Sequence, residues 1–155
     1  MQTLDELIAA SPVFAGLRAA QLDLIAGCAI NEHFAAGTYL FREGEAADRF
    51  YLIREGAIAL EVDVPGRGRR VLETLGQGEV VGWSWLFEPY RWHFDGRTVQ
   101  PTRVIGFDGA CLRGKCDSDH ELGYELMRRF AASMVERLQA TRLQLLDVYG
   151  NAHAA

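Results

Sequence analysis

Short alternating segments separated by glycine turns constrain this chain more than any other feature of its sequence. From Ile30 to Val64 the apolar residues follow a period of two, and turn signals at 36–37, 43–45 and 55–56 interrupt them. Turns at roughly eight- to twelve-residue intervals between short strands are typical of an antiparallel roll or barrel. We therefore predict a mainly β fold, an antiparallel β-roll of the jelly-roll kind, over residues 29–108.

The turns divide the roll into short strand segments. A tip at residues 65–68 (PGRG) predicts a hairpin, and Pro101 predicts a break in the last segment. The predicted strands are 33–34, 38–41, 50–53, 57–64, 69–75 and 97–107.

Helical periodicity precedes the roll. Residues 1–28 predict two short helices, at 3–10 and 18–28. Thr3 and Glu6 have the spacing of a capping box at the start of the first helix.

Helical periodicity returns after the roll, over residues 109–150. We predict a short helix at 110–116 and then a long helix that ends at Gly150. Asp117 or Ser118 is the expected N-cap of the long helix.

The long helix carries a signal for self-association. A helix of about 30 residues is about 45 Å long, which is longer than a roll of this size can cover. Its distal part therefore needs a partner, and a twin helix across a two-fold axis predicts a homodimer. The apolar seam at a and d spacing consists of Ala131, Met134, Leu138, Thr141, Leu145 and Val148.

Composition and charge argue against several classes of function. The 155 residues suffice for one domain, and the net charge of −5 argues against a nucleic-acid-binding surface. No apolar run approaches the length of a membrane span, and the acidic start is unlike a signal peptide. We expect a cytoplasmic protein that does not attach to a membrane.

The three cysteines, Cys28, Cys111 and Cys116, do not form a zinc pattern. An odd number of cysteines in an acidic chain that is expected in the cytoplasm favours reduced, partly buried thiols. A redox role is the less favoured alternative.

The segment from Gly78 to Val104 concentrates residues suited to a binding site. A glycine turn before a short apolar helix, predicted at 83–87, presents free amides to an anion. The aromatic residues offer stacking surface, although packing in the core is the favoured interpretation for residues 85–87. The segment holds all of the tryptophans of the chain, Trp83, Trp85 and Trp92.

These elements resemble the cyclic nucleotide-binding domain of the catabolite-activator (Crp/Fnr) type. The resemblance covers nearly the whole chain and implies a single domain, residues 1–155. It implies that residues 78–97 correspond to the phosphate cassette of that family, and we call them the cassette loop. The segments that carry the resemblance are Phe34–Leu60, Leu75–Gly82, Arg97–Asp108 and, for the dimerising helix, Arg137–Thr141.

The resemblance implies a ligand site in which two polar contacts are replaced. In cyclic-AMP binders of the family, a glutamate after the turn glycine bonds the ribose, but here Trp83 follows Gly82. The family's phosphate-binding arginine falls in register with Trp92 and His93. The residues expected at the site are Gly82, Trp83, Ser84, Trp85, Arg91, Trp92, His93, Arg97, Thr141 and Arg142.

Some of these residues have a second interpretation. Arg91 is a displaced cation that could replace the missing arginine, whereas a salt bridge with Asp95 is the favoured interpretation for Arg97. The expected ligand is a cyclic nucleotide or another small anion, and cyclic AMP itself is expected to bind weakly. No other cofactor is predicted.

The leading functional hypothesis is a stand-alone regulatory or sensor module, not an enzyme, that signals to a partner protein. With five residues after Gly150, we expect no helix-turn-helix of the Crp/Fnr kind and no direct DNA binding. A ligand-free dimerisation or protein-interaction module is the alternative. A cupin-type metalloenzyme ranks last, because His33 and His93 lack a histidine or carboxylate partner at cupin spacing.

Overall fold

The computed structural model describes residues 2–153, and for residues 151–153 the backbone alone. Met1, Ala154 and Ala155, which the predicted domain includes, lie outside the described residues. The strands are β1 Ala29–Phe34, β2 Tyr39–Phe41, β3 Arg49–Glu55, β4 Ile58–Val64, β5 Gly68–Leu75, β6 Val80–Val81, β7 Asp95–Thr98 and β8 Thr102–Asp108.

The strands form two four-stranded antiparallel sheets, which confirms the predicted β-roll. The first sheet has the order β1-β8-β3-β6, and the second has the order β2-β7-β4-β5. The segment predicted as 97–107 is divided at Pro101 into β7 and β8, and these two strands lie in different sheets. The two-residue strand β6 was not predicted, because it is too short to show a period.

The first sheet is covered on both faces, and β3 shows this best. Phe50 and Leu52 face one hydrophobic cluster, formed with the helices, while Tyr51 and Ile53 face the interior of the roll. A strand buried on both faces reads as a continuous apolar run. The interior of the roll is filled by Phe41, Ala47, Tyr51, Ile53, Ile58, Leu60, Leu75, Val81, Trp92 and Val104.

Helices pack against the outer face of the first sheet. They are α1 Leu4–Ala9, α2 Ala19–Ala26, a 3-10 helix Ser84–Leu86, α3 Gly109–Ser118 and α4 His120–His153. The capping box of Thr3 and Glu6 is present as predicted.

Both predicted ends of the long helix are corrected. The helix begins at His120, and the Asp119 carboxylate accepts a hydrogen bond of 3.1 Å from the Leu122 amide, so Asp119 caps it rather than Asp117 or Ser118. Gly150 does not end the helix, which continues to His153. A glycine inside a helix costs only about 1 kcal/mol relative to alanine, which does not by itself stop a helix.

Only the first part of α4 is buried against the rest of the chain. Leu122, Leu126 and Phe130 are at most 2% exposed and join the cluster under the first sheet. Farther along, Leu138 is 49% exposed and Leu145 52%. The distal half of α4 thus presents apolar side chains to solvent.

Two of the cysteines are joined, which corrects the prediction of reduced thiols. A disulfide links Cys28 to Cys111, with their Cα atoms 5.9 Å apart, and Cys116 is free. The physical reason is the pairing of β1 with β8, which places Cys28 beside Asp108, whose amide donates a 2.9 Å hydrogen bond to the Cys28 carbonyl. Sequence spacing alone does not reveal this proximity.

Candidate ligand site in the cassette loop

Within the cassette loop, Gly82 is in close contact with a tryptophan. Gly82 has a φ of +104°, and a Cβ atom at this position would lie 2.5 Å from the indole of Trp92. Both the backbone conformation and the close approach therefore require glycine here.

Trp92 fills the interior of the roll. Its side chain is 3% exposed, and its ring stacks face to face on Phe41, with centroids 3.6 Å apart and planes 8° apart. The backbone around it is also fixed. The Trp92 amide donates to the Glu45 carbonyl at 3.0 Å, and the Gly44 amide donates to the Trp92 carbonyl at 2.9 Å. A ligand that entered the roll at this point would have to displace the indole.

Trp85 lies in the hydrophobic cluster between the first sheet and the helices, as expected for residues 85–87. It is fully buried and stacks on Phe50 with centroids 4.6 Å apart, while Phe130 of α4 meets it edge-on at 5.5 Å. Phe87 differs from that expectation, because half of its side chain is exposed. The short 3-10 helix explains the difference, since it ends at Leu86 and Phe87 follows in an extended conformation.

Trp83 is in contact with α4 through an arginine. The Arg137 guanidinium lies 5.0 Å over the centre of the Trp83 ring and donates a hydrogen bond to the Val80 carbonyl. Glu73 on β5 is 4.0 Å from the same guanidinium. Burial lowers the pKa of Arg137, and the carboxylates of Glu73 and Glu79 oppose this effect. One arginine thus ties the long helix to the start of the cassette loop.

Sequence reasoning missed Arg137, although it singled out the segment that contains it. The signal was the position of Arg137 one helical turn before Thr141, since residues i and i+4 share a helix face. The Thr141 hydroxyl donates a 2.9 Å hydrogen bond to the Arg137 carbonyl, and its oxygen can still accept one.

Arg97 forms a different ion pair from the one predicted. Its guanidinium donates two hydrogen bonds of 3.0 Å to the Glu61 carboxylate, rather than pairing with Asp95. The hydrogen bonds from Arg97 hold the pKa of Glu61 below its usual value, although burial opposes them.

Asp95 pairs with two other arginines, Arg69 and Arg42. Burial alone would raise the pKa of Asp95, but the Glu43 amide and Arg69 together hold it below its usual value. Both carboxylates lie on the outer face of the second sheet. Gly96, between Asp95 and Arg97, faces Phe41 in the interior. This cluster is therefore separate from the Trp92 site.

The remaining predicted site residues do not converge on one point. Ser84 is buried, whereas His93 and Arg142 are exposed. Arg91 is exposed as well, and it donates a 3.1 Å hydrogen bond to the Gly44 carbonyl. The contacts bring together Gly82 with Trp92, and Trp83 with α4.

Among the surface cavities of the described residues, four have volumes of about 340 to 530 Å³, and none of these four is lined by Gly82, Trp83 or Trp92. One of about 380 Å³ lies between the cassette loop and the C-terminal helices, lined by Leu86, Tyr90, Arg113, Cys116, Asp117, His120, Gly123, Leu126 and Met127. In the part of the chain that the structure describes, no three His, Cys, Asp or Glu residues are grouped to hold a metal ion. Over the same residues, no helix is both long and apolar enough to cross a membrane.

Comparison with known proteins gives a family profile, similar sequences and similar solved structures. Residues 31–119, more than half of the chain, match the family profile described as cyclic nucleotide-binding domain. A CRP-like cAMP-activated global transcriptional regulator of Mycobacterium tuberculosis is 25% identical over 145 residues, which are 94% of this chain. The chain spans 63% of the length of that regulator.

Solved structures agree with this match. A proposed cyclic nucleotide-binding protein from Geobacter metallireducens superposes with a TM-score of 0.79 at 30% identity, covering 89% of this chain and 99% of that one. The catabolite activator protein of Thermus thermophilus superposes with a TM-score of 0.69 at 24% identity, covering 87% of this chain and 62% of that one. At this identity the second likeness concerns the fold alone.

Proposed function

This chain belongs to the cyclic nucleotide-binding domain family, and we propose that it is a regulatory module, not an enzyme, whose roll is closed by its own Trp92. An effector has to displace the indole, and the displacement passes to α4 and from there to a partner protein. The stacked, 3% exposed Trp92 ring is the observation that carries this proposal.

The link between the cassette loop and α4 supports the signalling part of the proposal. Arg137 holds Trp83 and the Val80 carbonyl, and Phe130 packs against Trp85. A movement of the cassette loop therefore changes contacts at two points of α4. Such coupling needs an element that both sites contact, and α4 is that element.

The expected effector is a small anion with a flat ring, such as a cyclic nucleotide. The space that Trp92 occupies suits an aromatic ring, because Phe41 offers its face there. The phosphate would meet the cassette loop, where exposed Arg91 supplies the positive charge. Because no carboxylate follows Gly82, affinity for cyclic AMP itself should be low.

The exposed distal half of α4 supports a homodimer. Helix α4 contains 34 residues and is therefore about 51 Å long. Leu138, Leu145 and Val148 are each about half exposed or more, and they lie on the a and d seam. A second copy of α4 would cover them.

A ligand-free interaction module is the second candidate function, and the packing of Trp92 favours it as well. If the indole never leaves the roll, the cassette loop acts as a fixed surface and the protein assembles partners without an effector.

Calorimetry on the wild type and on Trp92→Ala separates the two candidates. We expect the wild type to bind cyclic AMP, cyclic GMP and cyclic di-GMP no better than micromolar. We expect Trp92→Ala to bind at least one of them about tenfold more tightly, a difference of about 1.4 kcal/mol. Phe14→Ala, which removes a fully buried ring that packs on Phe107 outside the roll, is the matched control and should bind as the wild type does.

Two results would contradict the sensor proposal. Submicromolar binding of a cyclic nucleotide by the wild type would show that Trp92 does not close the roll. Absence of binding by a folded Trp92→Ala variant, checked by circular dichroism, would favour the ligand-free module instead.

A further inference from the structure

The Cys28–Cys111 disulfide joins the segment just before the roll to the helix just after it. Cys28 lies between α2 and β1, and Cys111 lies in the first turn of α3, 83 residues later. Cys28 is 7% exposed, whereas Cys111 is only partly buried. Of the two cysteines, Cys111 is therefore the more exposed residue.

Helix α3 connects this disulfide to the cassette loop. Gly109 packs so closely on Trp85 that an added Cβ atom would lie 2.9 Å from the Trp85 Cβ. Arg113 donates a hydrogen bond to the Trp85 carbonyl and lies 4.1 Å over the ring of Tyr90. Because α3 contacts Trp85 and Tyr90, a bond that holds α3 in place also helps to hold the cassette loop.

The position of Cys111 in α3 favours thiol chemistry at this residue. Asp108 is the N-cap, and its carboxylate accepts a 3.0 Å hydrogen bond from the Cys111 amide, so Cys111 is the third residue of the helix. The positive end of a helix stabilises a thiolate in the first turn, which makes Cys111 a good leaving group when a mixed disulfide at its sulfur is resolved. Cys116 lies beyond that turn, and burial raises the pKa of its thiol. The same helix thus holds one thiol suited to exchange and one that is not.

We propose that the Cys28–Cys111 disulfide is a thiol–disulfide exchange site, opened at Cys111 by dithiol reductants, and that its state sets how firmly α3 holds the cassette loop. This inference is independent of whether the roll takes an effector. In a reducing compartment, a disulfide of this kind is typical of redox sensing rather than of static cross-linking.

The exchange proceeds in two balanced steps. A thiolate of the dithiol attacks the Cys111 sulfur, a mixed disulfide forms there, and Cys28 leaves as a thiolate that takes up a proton. The second thiol of the donor then attacks the donor's sulfur in the mixed disulfide and releases Cys111. Two electrons and two protons pass from the dithiol to the cysteine pair, and the donor leaves as a cyclic disulfide.

Opening the bond does not unfold α3, because other contacts remain. Lys115 donates a 2.6 Å hydrogen bond to the Leu24 carbonyl, and the Asp108 amide still donates to the Cys28 carbonyl. The expected effect of reduction is therefore a looser α3 and a looser cassette loop within an intact roll.

The experiment equilibrates the folded protein with dithiothreitol and its oxidised form at a series of ratios. After acid quenching and alkylation, mass spectrometry counts the modified cysteines, and hydrogen–deuterium exchange follows the amides of the oxidised and reduced protein. We expect Cys28 and Cys111 to become alkylated together while circular dichroism stays native. We expect amides of α3 and of residues 83–92 to exchange at least about tenfold faster after reduction, an opening equilibrium shifted by about 1.4 kcal/mol.

Two variants sharpen the result. Cys116→Ser is the matched control and should keep the redox response, while the double variant Cys28→Ser, Cys111→Ser should exchange like the reduced protein under all conditions. If the double variant fails to fold, the reduced wild type still gives the readout.

Three outcomes would overturn the proposal. The bond could resist dithiothreitol in native buffer and yield only in urea, which is the behaviour of a static cross-link. The reduced and oxidised proteins could show equal amide exchange in α3. Cys116 could prove to be one of the two cysteines that respond.

Discussion

At the scale of single residues, Gly82 and Trp92 form a matched pair. The ring of Trp92 occupies the space that a side chain at residue 82 would need, and the φ of +104° at Gly82 directs the loop around that ring. The indole therefore fits in this position only because residue 82 has no side chain. The sequence shows the glycine as a turn signal and the tryptophan as an aromatic residue, but their contact depends on the fold.

A double-mutant cycle tests this pairing. Gly82→Ala should destabilise the protein by about 2–4 kcal/mol, because it combines an unfavourable φ with a clash against the indole. In the Trp92→Ala background the clash is absent, so the same change should cost about 1–2 kcal/mol less. Urea unfolding followed by circular dichroism measures both costs. Equal costs in the two backgrounds would show that the indole does not restrict residue 82.

The ion pairs show why single contacts were harder to predict than strands. Asp95 is a nearby carboxylate of the predicted loop, two residues before Arg97, and this led to the predicted pair. The register places Glu61 of β4 opposite Asp95 and Ala59 opposite Arg97, so Glu61 is the diagonal neighbour of Arg97. A diagonal neighbour on the next strand is within reach of a long side chain. Arg97 therefore reaches Glu61, a partner that only the register reveals.

At the scale of elements, α4 is a helix whose two halves differ in burial. The first half is part of the core through Leu122, Leu126 and Phe130, and the second half exposes its seam. Heptad spacing and length were enough to predict this division from the sequence. The start of the helix could not be predicted in the same way, because residues 117 and 118 are as suitable for capping as Asp119.

Charged substitutions on the α4 seam should disrupt self-association. Replacing Leu138 and Leu145 by glutamate places two like charges in the expected helix–helix contact, so sedimentation should show a monomer where the wild type is a dimer. Gln139→Glu with Leu143→Glu is the matched control, since it adds the same charge at exposed b and f positions that lie away from the seam. A wild type that is monomeric at a protein concentration on the order of tens of micromolar, at which even a weak dimer should form, would contradict the predicted dimer.

At the scale of the whole molecule, the roll was predictable because its signals are local. Glycine turns, alternating apolar residues and a capping box each act over a few residues, and the same local patterns carry the family resemblance. The closed interior, the Arg137 contact and the disulfide each join residues far apart in the sequence. One sequence without aligned relatives contains no direct sign of such pairs.

The overall charge leads to a prediction for nucleic acid. With a net charge of −5, the 155-residue chain should bind duplex DNA weakly and without sequence preference. Fluorescence anisotropy with promoter and scrambled duplexes, at low and at physiological salt, measures this. Binding that prefers one duplex and persists at physiological salt would contradict the prediction.

The disulfide also changes the topology of the chain. All eight strands lie between Cys28 and Cys111, so the bond turns the roll into a covalent ring from which α1 and α2 leave at one end and the rest of α3 and α4 at the other. A single backbone cut anywhere in that ring, for example at the exposed turn between β4 and β5, leaves one covalently connected molecule. Once the bond is reduced, the same cut produces two chains held only by packing. The redox state of the cysteine pair therefore decides whether a roll with one cut backbone bond remains a single covalent molecule.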